Sequence, residues 1–235
     1  VLLSFVFKGL AILEINKIIP SMITSLTIAV VASALVMLIS ILMVIVSIYK
    51  SNKFQKTLIF LSSCGYAFPG TILAVGVVVF YGLIYDLIFF NINYYVAGIT
   101  ILLFAYIIRF LAVGNGSIKS GITKVNPNII NATKIMGLNF FKVIRKIIIP
   151  LMYTNIFVGA TLVFVDVLKE LPMTLLLRPF NFETLATYVY QYASDELLEE
   201  CSLAALMIVL TGIGPVILLN SAIKKVGKIK KGETL

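Results

Sequence analysis

The chain has 235 residues, of which 60% are hydrophobic and only 12% are charged. Soluble domains average roughly 45–50% apolar and about 25% charged residues. Together with a mean hydropathy of +1.08, these proportions argue against a soluble domain, a disordered chain and a nucleic-acid-binding protein, despite the net charge of +9. They indicate a polytopic membrane protein.

Two residue counts narrow the chemistry. The chain has no His, which excludes imidazole metal sites and Ser–His–Asp triads. Cys64 and Cys201 are far apart in the sequence, so neither a zinc knuckle nor a redox dithiol is expected. No catalytic residue and no metal site is predicted, and the chain is not expected to be an enzyme.

Apolar windows divide the chain into spans. The leading segment, residues 1–13, is too short to cross a bilayer and is predicted to lie at the interface or to end a missing span. Crossing about 30 Å of hydrocarbon takes about 20 mostly apolar helical residues. Such windows follow in chain order at Met22–Tyr49, Leu58–Ile84, Tyr95–Ala112, Pro150–Leu168 and Leu203–Ile223.

The predicted fold class is therefore an all-α integral membrane protein with five or six transmembrane helices. We expect an external or interfacial N-terminal segment over residues 1–20, a transmembrane domain over 21–225 and a cytoplasmic basic tail over 226–235.

The second window contains a cluster of small residues and a proline. Its members are Ser62, Ser63, Cys64, Gly65, Pro69 and Gly70. In a membrane bundle, small residues permit close helix approach and neighbouring helices can satisfy the backbone around a proline. The cluster predicts a kinked, packed helix, with a pore-lining hinge as the alternative.

The basic residues indicate an orientation. Fifteen of the 19 Lys and Arg residues lie on one side of the five spans, including Arg109, which is expected to snorkel from the third span to the interface. Cytoplasmic loops carry an excess of Lys and Arg. The basic side is therefore predicted to be cytoplasmic, with the N-terminus outside and the C-terminus inside.

The loop after the third span predicts two short amphipathic helices. Asn126 and Pro127 are suited to begin the first helix, and Gly137 to end it. A second helix is predicted to begin near Asn139. Its apolar side would carry Phe140, Phe141, Ile144 and Ile148, and its polar side Lys142, Arg145 and Lys146. Such helices either lie on lipid headgroups or dock into the groove of a soluble partner.

The same loop resembles the EAA signature of ABC importer permeases, which reads Glu-Ala-Ala, three residues, Gly, nine residues, Ile, one residue, Leu-Pro. The matching residues are Asn131, Ala132, Thr133, Gly137, Ile147, Ile149 and Pro150. The resemblance implies a type I importer permease fold in which this loop couples to an ATP-binding subunit. Asn131 replaces the family's Glu, which keeps a hydrogen-bonding group but loses the charge.

Charged residues follow the fourth span. Asp166, Lys169 and Glu170 are spaced to share one helical face, either as a self-neutralising cluster at the interface or as a gate along the translocation path. With Pro172 and Arg178, they belong to a Lys-Glu-Leu-Pro-x-Thr-Leu-x-Leu-Arg-Pro run. This run resembles the C-terminal half of ferric-iron ABC importer permeases, although thiamine, polyamine and other metal-chelate permeases share parts of it.

A group of acids follows, at Asp195, Glu196, Glu199 and Glu200. Iron(III) prefers hard oxygen ligands, but a helix that docks a periplasmic binding protein explains the acids equally well. It is the resemblance of the Lys-Glu-Leu-Pro run, and not these acids, that implies iron import across the cell inner membrane.

The resemblance also implies the partners. No phosphate-cradling Gly-x-x-x-x-Gly-Lys-Ser/Thr loop occurs, so ATP and Mg²⁺ are expected on separate ATP-binding subunits and no cofactor on this chain. Further expected partners are an external substrate-binding protein, a second permease half (a separate chain or a self-copy) and the lipid bilayer. A non-ABC carrier and a nonfunctional split-gene fragment remain as alternatives.

Overall fold

The computed structural model describes residues 2–9, 15–49, 52–88, 93–125, 129 and 140–230. The helices in this part of the chain are α1 (Leu2–Gly9), α2 (Ile15–Tyr49), α3 (Lys53–Cys64), α4 (Gly70–Ile88), α5 (Tyr94–Ile122), α6 (Phe140–Val143), α7 (Ile149–Leu168), α8 (Pro172–Leu177), α9 (Leu185–Ser194) and α10 (Leu198–Lys230). A 3₁₀ turn, Gly65–Ala67, follows α3, and a π-helical turn, Ile144–Ile148, joins α6 to α7.

The centre of the molecule is a bundle of α2, α5 and α7, which pack against one another. Small residues lie where these helices approach most closely. Gly114 of α5 lies against Ser40 of α2, and Gly159 of α7 lies against Met37 of α2. Small residues let helix backbones come together in lipid, where van der Waals packing rather than the hydrophobic effect drives association.

The helices confirm an all-α membrane protein with four to five candidate spans. Four helices are long and apolar enough to cross a membrane: Ile15–Val46, Tyr94–Ile122, Ile144–Leu168 and Leu198–Ile217. The fifth candidate is a pair, Lys53–Ala67 and Gly70–Ile84, which is bent by 119°. The predicted kink in the second span is therefore a full break between α3 and α4.

The two halves of this broken span follow α5 in the opposite direction. On α3, Ser62 accepts a hydrogen bond of 2.7 Å from the side-chain amide of Asn115, near the C-terminal end of α5. On α4, Phe80 stacks on Phe104, nearer the N-terminal end of α5, with 6.0 Å between ring centroids. Because the pair advances along α5, we interpret it as one interrupted span.

Two helices extend past the predicted limits of the transmembrane domain. α2 begins at Ile15, before residue 21, and α10 continues to Lys230, beyond residue 225. Helix α1 packs against α10, so the leading apolar segment contacts the bundle.

Candidate functional site

The segment that is predicted to couple to an ATP-binding subunit, residues 131–150 (the predicted coupling segment), is described only at its C-terminal side. Four residues of the signature lie outside the described residues: Asn131, Ala132, Thr133 and Gly137. Of the first predicted helix of the loop, only Ile129 is described. The remaining residues of the signature are placed around the π-helical turn: Ile147 is half-buried, and Ile149 and Pro150 are exposed.

The predicted amphipathic character of the second loop helix is confirmed where the structure describes it. Ile144 and Ile148 are buried in a cluster with Met37 of α2 and Ile118 of α5. The exposed residues on the other side are Lys142, Arg145 and Lys146. This helix therefore lies against the bundle at the basic end of the molecule.

A continuous helical rod leads from this loop into the bundle. Helical turns run without interruption from Phe140 to Leu168, which is about 43 Å at 1.5 Å per residue. The π-helical turn precedes Pro150, and within it the N–H of Ile149 donates to the carbonyl of Ile144. Since a proline inside a helix has no N–H to donate and crowds the preceding turn, the wider turn lets the helix pass Pro150.

At the far end of this rod, a buried ion pair joins two elements that are distant in sequence. Arg109 of α5 lies with its Nε 3.6 Å from Oε2 of Glu170, and the two side chains are only 20% and 8% exposed. Oε1 of Glu170 accepts the N–H of Met173 at 3.4 Å. Thr174 donates its hydroxyl to the carbonyl of Glu170 at 2.6 Å and is bonded to the hydroxyl of Tyr106, also at 2.6 Å.

The start of α4 packs directly onto this pair. A Cβ added at Gly70 would collide with Nη1 of Arg109 and would lie 2.9 Å from Oε1 of Glu170. A glycine at this position therefore lets the helix backbone reach the two charges. The ion pair thus lies where α4, α5 and the segment after α7 meet, next to the break in the second span.

The expected snorkelling of Arg109 is wrong. Helix α5 runs to Ile122, ten residues beyond the predicted end of the span at Ala112, so Arg109 lies near the middle of the helix. The predicted window ended early because Asn115, Ser117, Lys119 and the nearby glycines lower the local hydropathy. An arginine in the middle of a span needs a partner within the protein, and here the partner is Glu170.

The expectation that Asp166, Lys169 and Glu170 share one helical face is also wrong. Helix α7 ends at Leu168, and the chain turns before Pro172 begins α8. Asp166 and Lys169 form a local pair of 2.8 Å, in which the Lys169 side chain is 64% exposed. Glu170 turns away from them to Arg109.

Arg178 organises the segment after α8. Its Nη1 donates to the carbonyl of Phe182 at 3.3 Å, to Oε1 of Glu183 at 3.0 Å and to the hydroxyl of Thr187 at 3.2 Å. The N–H of Leu185, at the start of α9, donates to the Ser25 hydroxyl of α2 at 2.7 Å. The Arg178 bonds tie residues 178–187 together, and the bond to Ser25 holds this segment against the bundle. The Arg178 side chain also lines an open cavity of about 760 Å³ at this end.

A family model covers most of the chain. Residues 38–226 match the model described as "Binding-protein-dependent transport system inner membrane component". The chain belongs to this family. The matched residues include the predicted coupling segment and the Arg109–Glu170 pair.

One curated relative and two solved structures illustrate what this family member is similar to. The Fe(3+)-transport system permease protein FbpB 2 of Haemophilus influenzae (strain ATCC 51907 / DSM 11121 / KW20 / Rd) is 26% identical over 158 residues, 66% of this chain and 29% of the relative. The chain thus spans about 29% of that relative's length.

The two structural relatives are ABC importers. A bacterial alginate ABC transporter, solved with a periplasmic protein that carries an alginate pentasaccharide, matches with a TM-score of 0.70 at 15% identity, covering 89% of this chain and 79% of that one. The inward-facing MetNI methionine ABC transporter matches with a TM-score of 0.67 at 14% identity, covering 89% and 95%. These likenesses show an ABC importer permease fold.

Sequence reasoning missed four members of the charged site. Tyr106 was not predicted to have a role, and Arg109 was assigned to the interface. Gly70 was predicted only as part of the small-residue cluster, and Thr174 only as part of the Lys-Glu-Leu-Pro-x-Thr run. One available signal was the helical sequence that continues on both sides of Arg109, 15 residues before it and 13 after it, which places the charge deep in a span. The contributions of Tyr106 and Thr174 depend on two helices meeting and had no local signal.

Proposed function

We propose that this family member is the permease half of an ABC importer that carries ferric iron across the cell inner membrane. The observation that supports iron is the Lys169–Pro179 run, together with the 26% identity to a Fe(3+)-transport permease. Part of this run, Glu170 to Thr174, forms the buried site with Arg109. Within this part of the run, Glu170, Met173 and Thr174 are buried in the helix bundle.

In this proposal, the rod from Phe140 to Leu168 transmits the coupling motion. ATP-binding subunits hydrolyse the ATP and bind the loop around Ala132 on the cytoplasmic side. Because the rod is continuous, a tilt imposed at the loop displaces Glu170 at the other end. Glu170 is tied to Arg109 and abuts the start of α4, so the displacement reaches the break in the second span and opens the path on one side.

The outer end supplies the docking face for a substrate-binding protein. Asp195 and Glu196 are exposed at the turn between α9 and α10, and the half-buried Glu199 and Glu200 follow in the first turn of α10. We assign these acids to docking rather than to iron coordination. A second permease half, from another chain or a second copy, completes the pore.

Radiolabelled uptake tests the substrate. The gene is deleted in its host and restored as wild type, and uptake of ⁵⁵Fe(III), labelled thiamine and labelled spermidine is compared in the two strains. The proposal expects iron uptake alone to fall in the deletion strain and to recover with the gene. Loss of thiamine or spermidine uptake with normal iron uptake would replace iron by that substrate. Unchanged uptake of all three substrates in the deletion strain would contradict import of any of them by this chain.

A further inference from the structure

A second open cavity lies at the basic end of the bundle. It has a volume of about 710 Å³ and lies between α2, α3 and α5. It is separate from the Arg109–Glu170 site, which lies nearer the middle of α5. The helix α3 that forms one wall has no buried residue, so this wall is only loosely packed and the space beside it is accessible.

Two cations line this cavity from different helices. Lys56 of α3 and Lys119 of α5 are both exposed and both contribute to the lining. Neither lysine takes part in an ion pair with a carboxylate of the described residues. Two lysines brought to one cavity from separate helices make it attractive to an anion.

The third polar element is a buried amide. Asn115 is only 4% exposed and lines the same cavity. Its Nδ2 donates to Ser62 at 2.7 Å, whereas its Oδ1 is buried and has no hydrogen-bond partner within the described part of the protein. The amide therefore makes one wall of the cavity polar, although its oxygen is buried behind that wall.

The remaining walls are apolar. Val44, Ile59 and Phe60 line the cavity, and Phe60 is 68% exposed. A cavity with two lysines beside an apolar wall is complementary to an amphiphile that has an anionic headgroup and an apolar tail. Basic pockets between transmembrane helices on the cytoplasmic side bind anionic lipid headgroups.

We propose that this cavity binds an anionic glycerophospholipid such as phosphatidylglycerol. The phosphate lies between Lys56 and Lys119, the headgroup lies beside the polar wall at Asn115, and an acyl chain follows Phe60. Charge complementarity favours this occupant over an apolar protein segment, which would leave both lysines without a partner. The site is independent of which substrate the permease carries.

Lipid retention by the full chain tests this proposal. The protein is purified in detergent together with the subunits that accompany it, stripped of lipid, and incubated with phosphatidylglycerol or with phosphatidylcholine. Native mass spectrometry counts retained lipids, and a thermal shift reports stabilisation. We expect selective retention of phosphatidylglycerol. Equal retention of phosphatidylcholine would overturn the proposal, and equal stabilisation by inorganic phosphate alone would assign the site to a free anion.

Matched variants locate the binding. A lysine near an anionic lipid surface contributes about 1 kcal/mol, or roughly fivefold in affinity. We therefore expect the double variant Lys56→Gln and Lys119→Gln to bind phosphatidylglycerol roughly 25-fold more weakly. The control double variant Lys53→Gln and Lys124→Gln removes two exposed lysines nearby that do not line the cavity, and should bind as the wild type does. Equal losses in both double variants would reduce the effect to general surface charge and refute the site.

Discussion

Removing one partner of the Arg109–Glu170 pair should destabilise the protein far more than removing one partner of the shorter Asp166–Lys169 pair. Two unit charges 3.6 Å apart attract by roughly 5 kcal/mol at an effective dielectric constant of about 20. Removing one partner of a buried pair leaves the other charge uncompensated and costs about 3–5 kcal/mol. The Glu170→Gln substitution keeps the size of the side chain and an acceptor for the N–H of Met173, so the loss reports the charge.

The second pair provides the comparison. Asp166 and Lys169 are only 2.8 Å apart, but the Lys169 side chain is 64% exposed. Exposed pairs contribute about 0–1 kcal/mol because water screens them and the side chains lose entropy. Asp166→Asn should therefore lower the free energy of unfolding by less than about 1 kcal/mol, although its partner is closer.

A double-mutant cycle measures the interaction itself. The free energy of unfolding is determined in mixed micelles for Glu170→Gln, Arg109→Gln and the double variant. We expect the double variant to be less destabilised than the sum of the single variants by about 2–3 kcal/mol. Additive losses, or a loss from Asp166→Asn as large as that from Glu170→Gln, would refute the reasoning that burial outweighs distance here.

Three further predictions address the packing of α3 against α5, the segment around Arg178, and the coupling of ATP hydrolysis to transport. Gly65→Ala places a methyl group against the Ile108 carbonyl and should cost about 1–3 kcal/mol in unfolding experiments, whereas Gly76→Ala meets nothing within 4 Å and should stabilise by up to about 1 kcal/mol; equal effects would contradict the close approach. Arg178→Lys loses the planar guanidinium that donates to three acceptors and should lower the free energy of unfolding by about 1–2 kcal/mol. Arg145→Lys, at an exposed position, should leave the free energy of unfolding unchanged. Ala132→Asp should abolish transport by uncoupling the ATPase, and normal substrate-stimulated ATP hydrolysis in reconstituted vesicles would count against the assigned coupling loop.

Local sequence signals predicted the spans and the amphipathic loop helix well. Hydropathy is a property of a short window, so the windows at Met22–Tyr49 and Pro150–Leu168 correspond to α2 and α7. The alternation of apolar and basic residues over 140–148 is likewise local, and the burial of Ile144 and Ile148 confirms it. The extent of α5 was underestimated because polar residues inside the bundle lower hydropathy without ending a helix.

Composition, periodicity and a contiguous motif are read along the chain, and they indicate a membrane protein, its long helices and the family that it resembles. The pairing of the charges depends on how the helices pack. Asp166, Lys169 and Glu170 look equivalent along the chain, but the end of α7 at Leu168 separates Glu170 from the other two. Its partner Arg109 lies 61 positions earlier and is brought to it only by the packing of α5 against α7 and α8.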